Sequence, residues 1–125
     1  MILGVGIDII EVARVKASHE RFGERFLKHV LLTDEIAYCL SHKNPAPFIA
    51  ARFAAKEAIS KAFGTGIGAS LGWQDMEIRR KESGEPFVVL HGKGKILFKS
   101  CRAKRLLVSL THTANYAAAT AVLEG

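Results

Sequence analysis

Large aliphatic side chains alternate with glycine and aspartate at the start of the chain. Every second position from residue 3 to residue 9 is leucine, valine or isoleucine, and Gly4, Gly6 and Asp8 lie between them. This period of two predicts a β-strand over Ile2 to Ile10. A strand face that carries only glycines before a carboxylate allows another backbone or a ligand to approach closely.

The apolar period then changes to that of a helix. A first helix is predicted over Glu11 to His29, because apolar and aromatic side chains recur at helical spacing, at Val12, Val15, His19, Phe22 and Phe26. A short second helix is predicted from Thr33, a good N-cap residue, to near His42. Two acidic residues in its first turn interact favourably with the helix dipole.

The longest predicted helix begins at Asn44-Pro45 and ends before Gly64. Asparagine suits the N-cap, proline the first helical position, and glycine the residue that stops the helix. Alanines at positions 51, 55, 58 and 62 form a face that permits close packing. Glu57 and Lys61 project together from a neighbouring sector, since residues four apart share a face.

Short strands dominate the rest of the chain. Alternating residues on both sides of a glycine-proline turn predict a hairpin, and a short basic helix and two last strands follow. The predicted elements are strands over Met76–Arg79 and Phe87–Leu90, a helix over Lys93–Arg102, and strands over Leu106–Thr111 and Ala117–Leu123. Helices combined with hairpin-connected strands favour an α+β fold, a small antiparallel sheet packed with helices.

Composition and charge limit the function classes. With 125 residues, 49% of them hydrophobic, one domain spanning residues 1–125 is expected to bury a true core. Two cysteines are too few for a disulfide framework and favour a reducing, cytoplasmic location. No window approaches the roughly 20 apolar residues of a membrane span, and the first residues lack a signal peptide's basic region. The net charge of +6 favours an acidic partner: nucleic acid, a phosphorylated ligand or an acidic protein.

Asp8 and Glu57 are the acidic residues that require an explanation. At the end of a buried-type strand, the Asp8 carboxylate is costly unless it is paired or binds a metal, and it also suits the cap of the following helix. Glu57 is placed to form a weak ion pair with Lys61, four residues on. Alternatively, two carboxylates from distant segments beside a lysine suit Mg²⁺, which fills its other positions with water and phosphate oxygens.

The glycines after the long helix and His112 are weaker candidates. Gly64 suits the end of a helix, although glycines in this loop also leave backbone amides open to a phosphate. His112 lies at the end of a predicted strand, where a single histidine between threonines is commonly a hydrogen-bonded structural group. No phosphate-loop or dinucleotide-binding glycine motif is present, so ordinary nucleotide-binding folds are not supported.

A row of basic residues lies along the first predicted helix. Its members, which fall within about 60° of one another on a continuous helix, are Arg14, Arg21, Arg25 and Lys28. Such a row is commonly only a solvated face. Because no acidic residue lies in the row, it also suits the docking of an acidic partner.

Three segments, in this order and spacing, resemble the small bacterial holo-[acyl carrier protein] synthases, which are 4′-phosphopantetheinyl transferases. These segments are GVGIDIIEVAR, RFAAKEAISKAFGTGIG and VSLTHTANYAAA. The resemblance extends from Ile2 to Leu123, and the first two segments together are highly specific. It implies transfer of phosphopantetheine from coenzyme A to a serine of apo-acyl carrier protein in fatty acid biosynthesis, with release of adenosine 3′,5′-bisphosphate.

The resemblance also assigns roles to residues. It implies that Mg²⁺ is held by Asp8 and Glu57 and that Lys61 faces phosphate during catalysis. The attacking serine gives its proton to Glu57 or to a water held by Mg²⁺ and Glu57; we favour the water, because a coordinated carboxylate has few free lone pairs. The residues implied to contact coenzyme A are Arg52, Ser60, Lys61, Gly64 and His112.

For partners, the resemblance implies a homotrimer with sites between subunits. The carrier protein is expected to dock on Arg14, Arg21 and Arg25. Two departures from the family pattern concern Thr111, where many members have serine, and the segment from residue 91 to residue 105, which is unusually basic. Neither departure touches the residues implied to bind the metal.

Two other functions are compatible with the composition. A small basic nucleic-acid-binding protein accounts for the charge, but it predicts nothing about Asp8 or Glu57, and the chain lacks an aromatic RNA-binding motif or a recognition-helix pattern. A non-catalytic subunit that keeps the same fold is the second. We therefore expect neither nucleic acid nor membrane among the partners.

Overall fold

The computed structural model describes residues 1–125 and has the α+β content predicted. Four helices follow the first strand, and a hairpin, a fifth helix and two last strands complete the chain, with one short 3₁₀ turn at Trp73–Asp75. In chain order they are β1 (Ile2–Glu11), α1 (Val12–Phe22), α2 (Glu24–Val30), α3 (Thr33–Leu40), α4 (Ala46–Phe63), β2 (Met76–Arg80), β3 (Pro86–Leu90), α5 (Gly92–Ser100), β4 (Arg105–His112) and β5 (Tyr116–Glu124). None of the helices combines the length and the hydropathy needed to cross a membrane.

The strands form two antiparallel sheets. The larger sheet has the order β1-β5-β4, so the last strand of the chain lies at its centre, and β2 and β3 form a separate hairpin. In the larger sheet Asp8 is opposite Ala119, which is in turn opposite Leu110 of β4. The predicted small antiparallel sheet is therefore confirmed, with the hairpin set apart from it.

Helix α4 lies directly on the glycine-bearing face of β1. A Cβ atom added to Gly4 would collide with the carbonyl oxygen of Ala62, and one added to Gly6 with that of Ala58. Because neither partner has a bulky side chain, the helix and strand backbones approach closely. The close approach predicted for the glycine face of the strand and the close packing predicted for the alanine face of the helix are both confirmed, and they are one and the same contact.

The aliphatic face of β1 is turned away from α4 and is exposed. Val5, Ile7 and Ile9 are 64–66% exposed, which is unusual for three branched aliphatic side chains in one row. Leu107 of β4, opposite Val122 and hence in the same row as Val5, is 43% exposed. A contiguous apolar patch of this kind marks an interaction surface more often than a free one.

Three predicted helix boundaries were wrong. The first helix is broken at Gly23, whose φ of 57° and ψ of −134° separate α1 from α2 in a conformation that favours glycine. Helix α3 includes Thr33 as its first residue, so Leu32 and not Thr33 is the N-cap residue, and the Glu35 carboxylate closes the first turn by accepting the Leu32 N–H at 2.8 Å. Helix α4 begins at Ala46, one residue after the proline predicted to open it.

Candidate active site

The contact between β1 and α4 brings Asp8 beside the last turns of the helix. Gly4 lies against Ala62 and Gly6 against Ala58, so β1 runs toward the N-terminal end of α4, and the long Lys61 side chain leans back along the helix to meet Asp8. The Lys61 Nζ donates hydrogen bonds to Asp8 Oδ1 at 3.2 Å and to the Ile7 carbonyl oxygen at 2.9 Å. Asp8 therefore pairs across the contact and does not cap the following helix, whose N-cap residue makes no side-chain bond.

Glu57 shares this space with Asp8 and Lys61. Burial raises the pKa of the Glu57 carboxyl above its ordinary value, the neighbouring Asp8 charge raises it further, and Lys61 lowers it. No ion pair joins Glu57 to Lys61, which binds Asp8 instead, so the local helical pair considered from the sequence is wrong. Two carboxylates and one ammonium thus converge from segments that are far apart in the chain.

The donor set fits a hard divalent cation that keeps much of its water shell. No group of three or more potential metal-ligating side chains lies together in the structure, so the protein offers no complete cage of ligands. Two mutually repelling carboxylates, Asp8 and Glu57, instead match Mg²⁺, which takes one or two carboxylates and completes its octahedron with water and phosphate oxygens.

Ser60 and the glycine loop terminate α4. The Ser60 side chain is fully buried, and its Oγ donates to the Glu57 carbonyl oxygen at 2.7 Å. Gly64 adopts a left-handed φ of 80°, which confirms its predicted role as the helix stop. The amides of Gly64, Thr65 and Gly66 all donate to carbonyl oxygens of the last helical turn, so the prediction of open amides is wrong at these positions. Contact of Ser60 with coenzyme A stays a prediction.

Arg52 lies on the other flank of α4. It is five residues from Glu57, which places it about 140° away around the helix. The Arg52 guanidinium lies 4.2 Å from the centre of the Tyr38 ring, and its Nε is buried with no hydrogen-bond partner. A cavity of about 270 Å³ adjoins it and is lined by both signs of charge, by Arg79 and Arg80 and by the carboxylates of Asp34, Glu35 and Glu77. The unpartnered buried Nε leaves one donor of Arg52 unsatisfied within the chain.

His112 is connected to Arg52 through a series of ring contacts. Its ring is 4.9 Å from Phe48, which stacks on His42 at 3.5 Å, and the His42 ring is 4.8 Å from Tyr38. We call these four side chains the aromatic row; it leads from His112 to the ring that Arg52 covers. Because β4 is two strands away from β1, the two backbones are separated by about 10 Å.

The predicted site residues therefore form two groups in one copy of the chain. The first half-site contains Asp8, Glu57 and Lys61, and the second contains Arg52 and His112 at the two ends of the aromatic row. The sequence could not separate them, because α4 supplies residues to both.

One buried group was missed at the sequence level. Lys56, next to Glu57, is fully buried and donates to Glu35 Oε1 at 2.8 Å. Burial lowers the pKa of the Lys56 ammonium, and the Glu35 carboxylate raises it. The sequence contained one indication of its burial: Lys56 lies among alanines in a helix that has almost no solvent-exposed face.

The basic row is only partly as predicted. Arg14, Arg21 and Arg25 are exposed and have no acidic partner, but the break at Gly23 divides them between α1 and α2, so a continuous stripe is wrong. Lys28 pairs with Glu24 at 3.2 Å, so it is not free of acidic neighbours. A cavity of about 580 Å³ beside Arg25 is floored by two phenylalanines of this region. Partner binding here stays a prediction.

Comparison with known proteins gives matches along nearly the whole chain. Residues 4–121 match the model of the 4′-phosphopantetheinyl transferase superfamily. The chain is 46% identical over 124 residues to a holo-[acyl-carrier-protein] synthase of Koribacter versatilis, with 99% of both proteins covered. The crystal structure of the synthase from Neisseria meningitidis superposes with a TM-score of 0.93 at 28% identity, over 100% of both chains.

A second solved structure adds a ligand to the comparison. The Helicobacter pylori holo-[acyl-carrier-protein] synthase, in complex with coenzyme A, superposes with a TM-score of 0.86 at 34% identity and covers 96% of this chain and 99% of its own. Fold, family model and sequence identity agree over the same residues. The resemblance seen in the three sequence segments is thereby confirmed, and the chain belongs to the 4′-phosphopantetheinyl transferase superfamily.

Proposed function

We propose that this chain is a Mg²⁺-dependent holo-[acyl carrier protein] synthase whose active sites form between copies of the chain. It transfers the 4′-phosphopantetheine group from coenzyme A to a serine of apo-acyl carrier protein. The relatives that match nearly the whole chain are named for the synthesis of holo-acyl carrier protein. The single observation that supports the site is the convergence of Asp8, Glu57 and Lys61 at the contact of β1 with α4.

The reaction needs a cationic environment at the pyrophosphate. The serine oxygen attacks the β-phosphorus of coenzyme A, the bond from that phosphorus to the bridging oxygen breaks, and adenosine 3′,5′-bisphosphate leaves with the bond's electrons. Lys61 is oriented by Asp8 and the Ile7 carbonyl, so its ammonium can neutralise charge on the leaving phosphate without reorganising. Bound by Asp8 and Glu57, Mg²⁺ would supply Lewis-acid neutralisation of the same pyrophosphate charge.

The proton of the serine hydroxyl requires a base. Glu57 is placed to take it, directly or through one water. We favour the route through the water, because a carboxylate that also holds a metal has few free lone pairs.

The second half-site argues for assembly. Arg52 and His112 lie at the two ends of the aromatic row and form no hydrogen bond or ion pair with Asp8 in one chain, and a neighbouring copy can supply them to complete the site around a large anionic ligand. The exposed aliphatic face of β1 gives such a neighbour an apolar surface to cover. Closed ring symmetry completes sites of this kind, and we propose a homotrimer in accordance with the family resemblance.

The carrier protein is proposed to dock on α1 and α2. The exposed arginines Arg14, Arg21 and Arg25 have no acidic partner in the chain, so they are free to meet an acidic surface and orient it. Two free cysteines are compatible with a reducing compartment, and a cytoplasmic location is part of the proposal.

Mass spectrometry of the carrier protein tests the function. Purified protein is mixed with apo-acyl carrier protein, coenzyme A and Mg²⁺, with a matched sample in which a chelator removes the metal. We expect the carrier to gain one phosphopantetheine only in the first sample and after Mg²⁺ is restored. A carrier that stays unmodified would leave the non-catalytic subunit as the better explanation, and transfer in the chelated sample would remove the metal from the proposal.

A further inference from the structure

Helix α4 is held from two opposite sides. On one side Ala58 and Ala62 abut the backbone of β1 at Gly6 and Gly4. Lys56 is two residues from Ala58, so its side chain projects about 200° from that of Ala58 around the helix axis, from the opposite side of the helix. Glu57 lies between these two directions, about 100° from each.

The Lys56 ammonium is bound by three separate segments. Its Nζ donates to Glu35 Oε1 of α3 at 2.8 Å, to the Val30 carbonyl oxygen at the end of α2 at 2.7 Å, and to the Trp73 carbonyl oxygen at 3.2 Å. The side chain is 0% exposed. All three of its protons are therefore used, and no donor remains for a ligand.

Glu35 fixes the other end of this contact. Its Oε1 also accepts the Leu32 N–H at 2.8 Å, and its Oε2 accepts the Ile78 N–H of β2 at 2.8 Å. The carboxylate thus ties the start of α3 to the hairpin while it holds Lys56. A buried ion pair adds little net stability compared with well-packed apolar residues, so its saturated hydrogen bonds are better explained by the geometry they impose.

We infer that Lys56 and Glu35 are positioning residues for the proposed transfer: they fix the rotation of α4 on β1 and so hold Glu57 against Asp8. The contact of Gly4 and Gly6 with α4 brings backbone atoms together and carries no directional bond of its own. The Lys56 ammonium adds a directional constraint on the opposite side of the helix. This inference rests on the proposed function, and misplacement of a reacting group by about 1 Å can cost on the order of 100-fold in rate.

The test uses two variants that remove this anchor by different amounts. Lys56→Met keeps most of the side-chain length and removes all three donors, and Glu35→Gln keeps the side-chain volume and part of the hydrogen bonding. Steady-state kinetics with apo-acyl carrier protein are measured well below each variant's Tm, with circular dichroism as the check on helix content. We expect kcat to fall by about tenfold or more while KM for coenzyme A stays within about threefold.

Trp73 supplies a spectroscopic readout of the same anchor. It is the single tryptophan of the chain, its carbonyl accepts from Lys56, and its ring lies 4.6 Å from Phe53 of α4. We expect its emission to shift in Lys56→Met while the far-ultraviolet spectrum is unchanged, because the helix moves relative to this turn without unfolding.

Met76→Ala is the matched control. Met76 is fully buried in the same apolar cluster as Ala58, so its truncation lowers Tm without releasing the ammonium. Loss of kcat in Lys56→Met and Glu35→Gln, but not in Met76→Ala, supports the inference. Wild-type kcat in all three folded variants overturns it and leaves the pair a structural role only. If Lys56→Met does not fold, the kcat of Glu35→Gln decides by the same criterion. If the wild-type protein itself shows no transfer, the proposed function is overturned instead of this inference.

Discussion

Lys61 and Asp8 form an ion pair of 3.2 Å across the contact of α4 with β1, although 53 residues separate them in the chain. The pair exists because Gly4 and Gly6 let the helix backbone reach the strand. The small side chains are therefore a condition for the candidate site, since any larger residue at either glycine would push the helix, and Lys61 with it, away from Asp8.

The carboxylates are tested by nearly isosteric replacement. Asp8→Asn and Glu57→Gln should each fold and lose most transferase activity, because each removes one anionic ligand proposed for the metal. Loss of the metal's stabilisation costs several kcal/mol, on the order of a thousandfold in rate. Glu85→Gln, an exposed carboxylate of the hairpin turn, is the control and should keep wild-type activity. Activity within about threefold of wild type at saturating Mg²⁺ would contradict the assignment for that residue.

The close approach of β1 and α4 is tested at Gly6. Gly6→Ala should lower the free energy of unfolding by about 2–3 kcal/mol, as overpacking of a rigid contact does, because its Cβ would collide with the Ala58 carbonyl oxygen. Gly68→Ala is the matched control, since nothing lies within 4 Å of a Cβ there. Urea denaturation measures both. Equal stability of the two variants would show that the contact yields freely.

The exposed aliphatic face is tested by light scattering. Ile7→Glu should convert the proposed trimer into a monomer and abolish transfer, because a carboxylate buried without a partner in an interface is costly. Ile96→Glu replaces an equally exposed isoleucine on α5, 68% against 66%, and should change neither property. A wild-type monomer that is fully active at assay concentration would refute the assembly.

The arginines of α1 are tested by charge reversal. Arg14→Glu combined with Arg21→Glu should raise KM for the carrier protein about tenfold or more and leave KM for coenzyme A almost unchanged, because surface charges act on association and are screened by salt. Added salt should weaken the wild-type enzyme's use of the carrier and affect the variant much less. Lys99→Glu on α5 serves as the control. Equal effects on both substrates would indicate a folding defect instead.

Acid stability is tested at Glu77, a buried carboxylate of β2. Hydrogen bonds from Arg79 and then from His91 hold the pKa of Glu77 below its ordinary value, against the opposing effect of burial. A carboxylate with a lowered folded-state pKa contributes stability above its unfolded pKa, and this contribution is lost as the pH falls through the folded value. Wild type should therefore lose more of its Tm than Glu77→Gln between about pH 7 and about pH 3. Parallel loss in both proteins would contradict this contribution.

Local periodicity determined most of the secondary structure and the membership of each face. The period of two placed Gly4, Gly6 and Asp8 on one side of a strand, and the helical period placed the alanines and Glu57 on neighbouring faces of α4. The resemblance in three segments was enough to assign the family. The secondary structure and the membership of each face are local properties, because they depend on residues within a turn or two of each other.

Tertiary structure decided what each face meets. A continuous helical period hid the break at Gly23, because the period does not report the left-handed φ that only the packed chain imposes there. Residue type alone did not reveal that the amides of Gly64 and Gly66 are satisfied within the helix end, or that Lys56 is buried against Glu35. The division of the site residues into two half-sites has the same origin: a helix shows which of its side chains point together, but only packing against β1 on one flank and Tyr38 on the other determines which partners they reach.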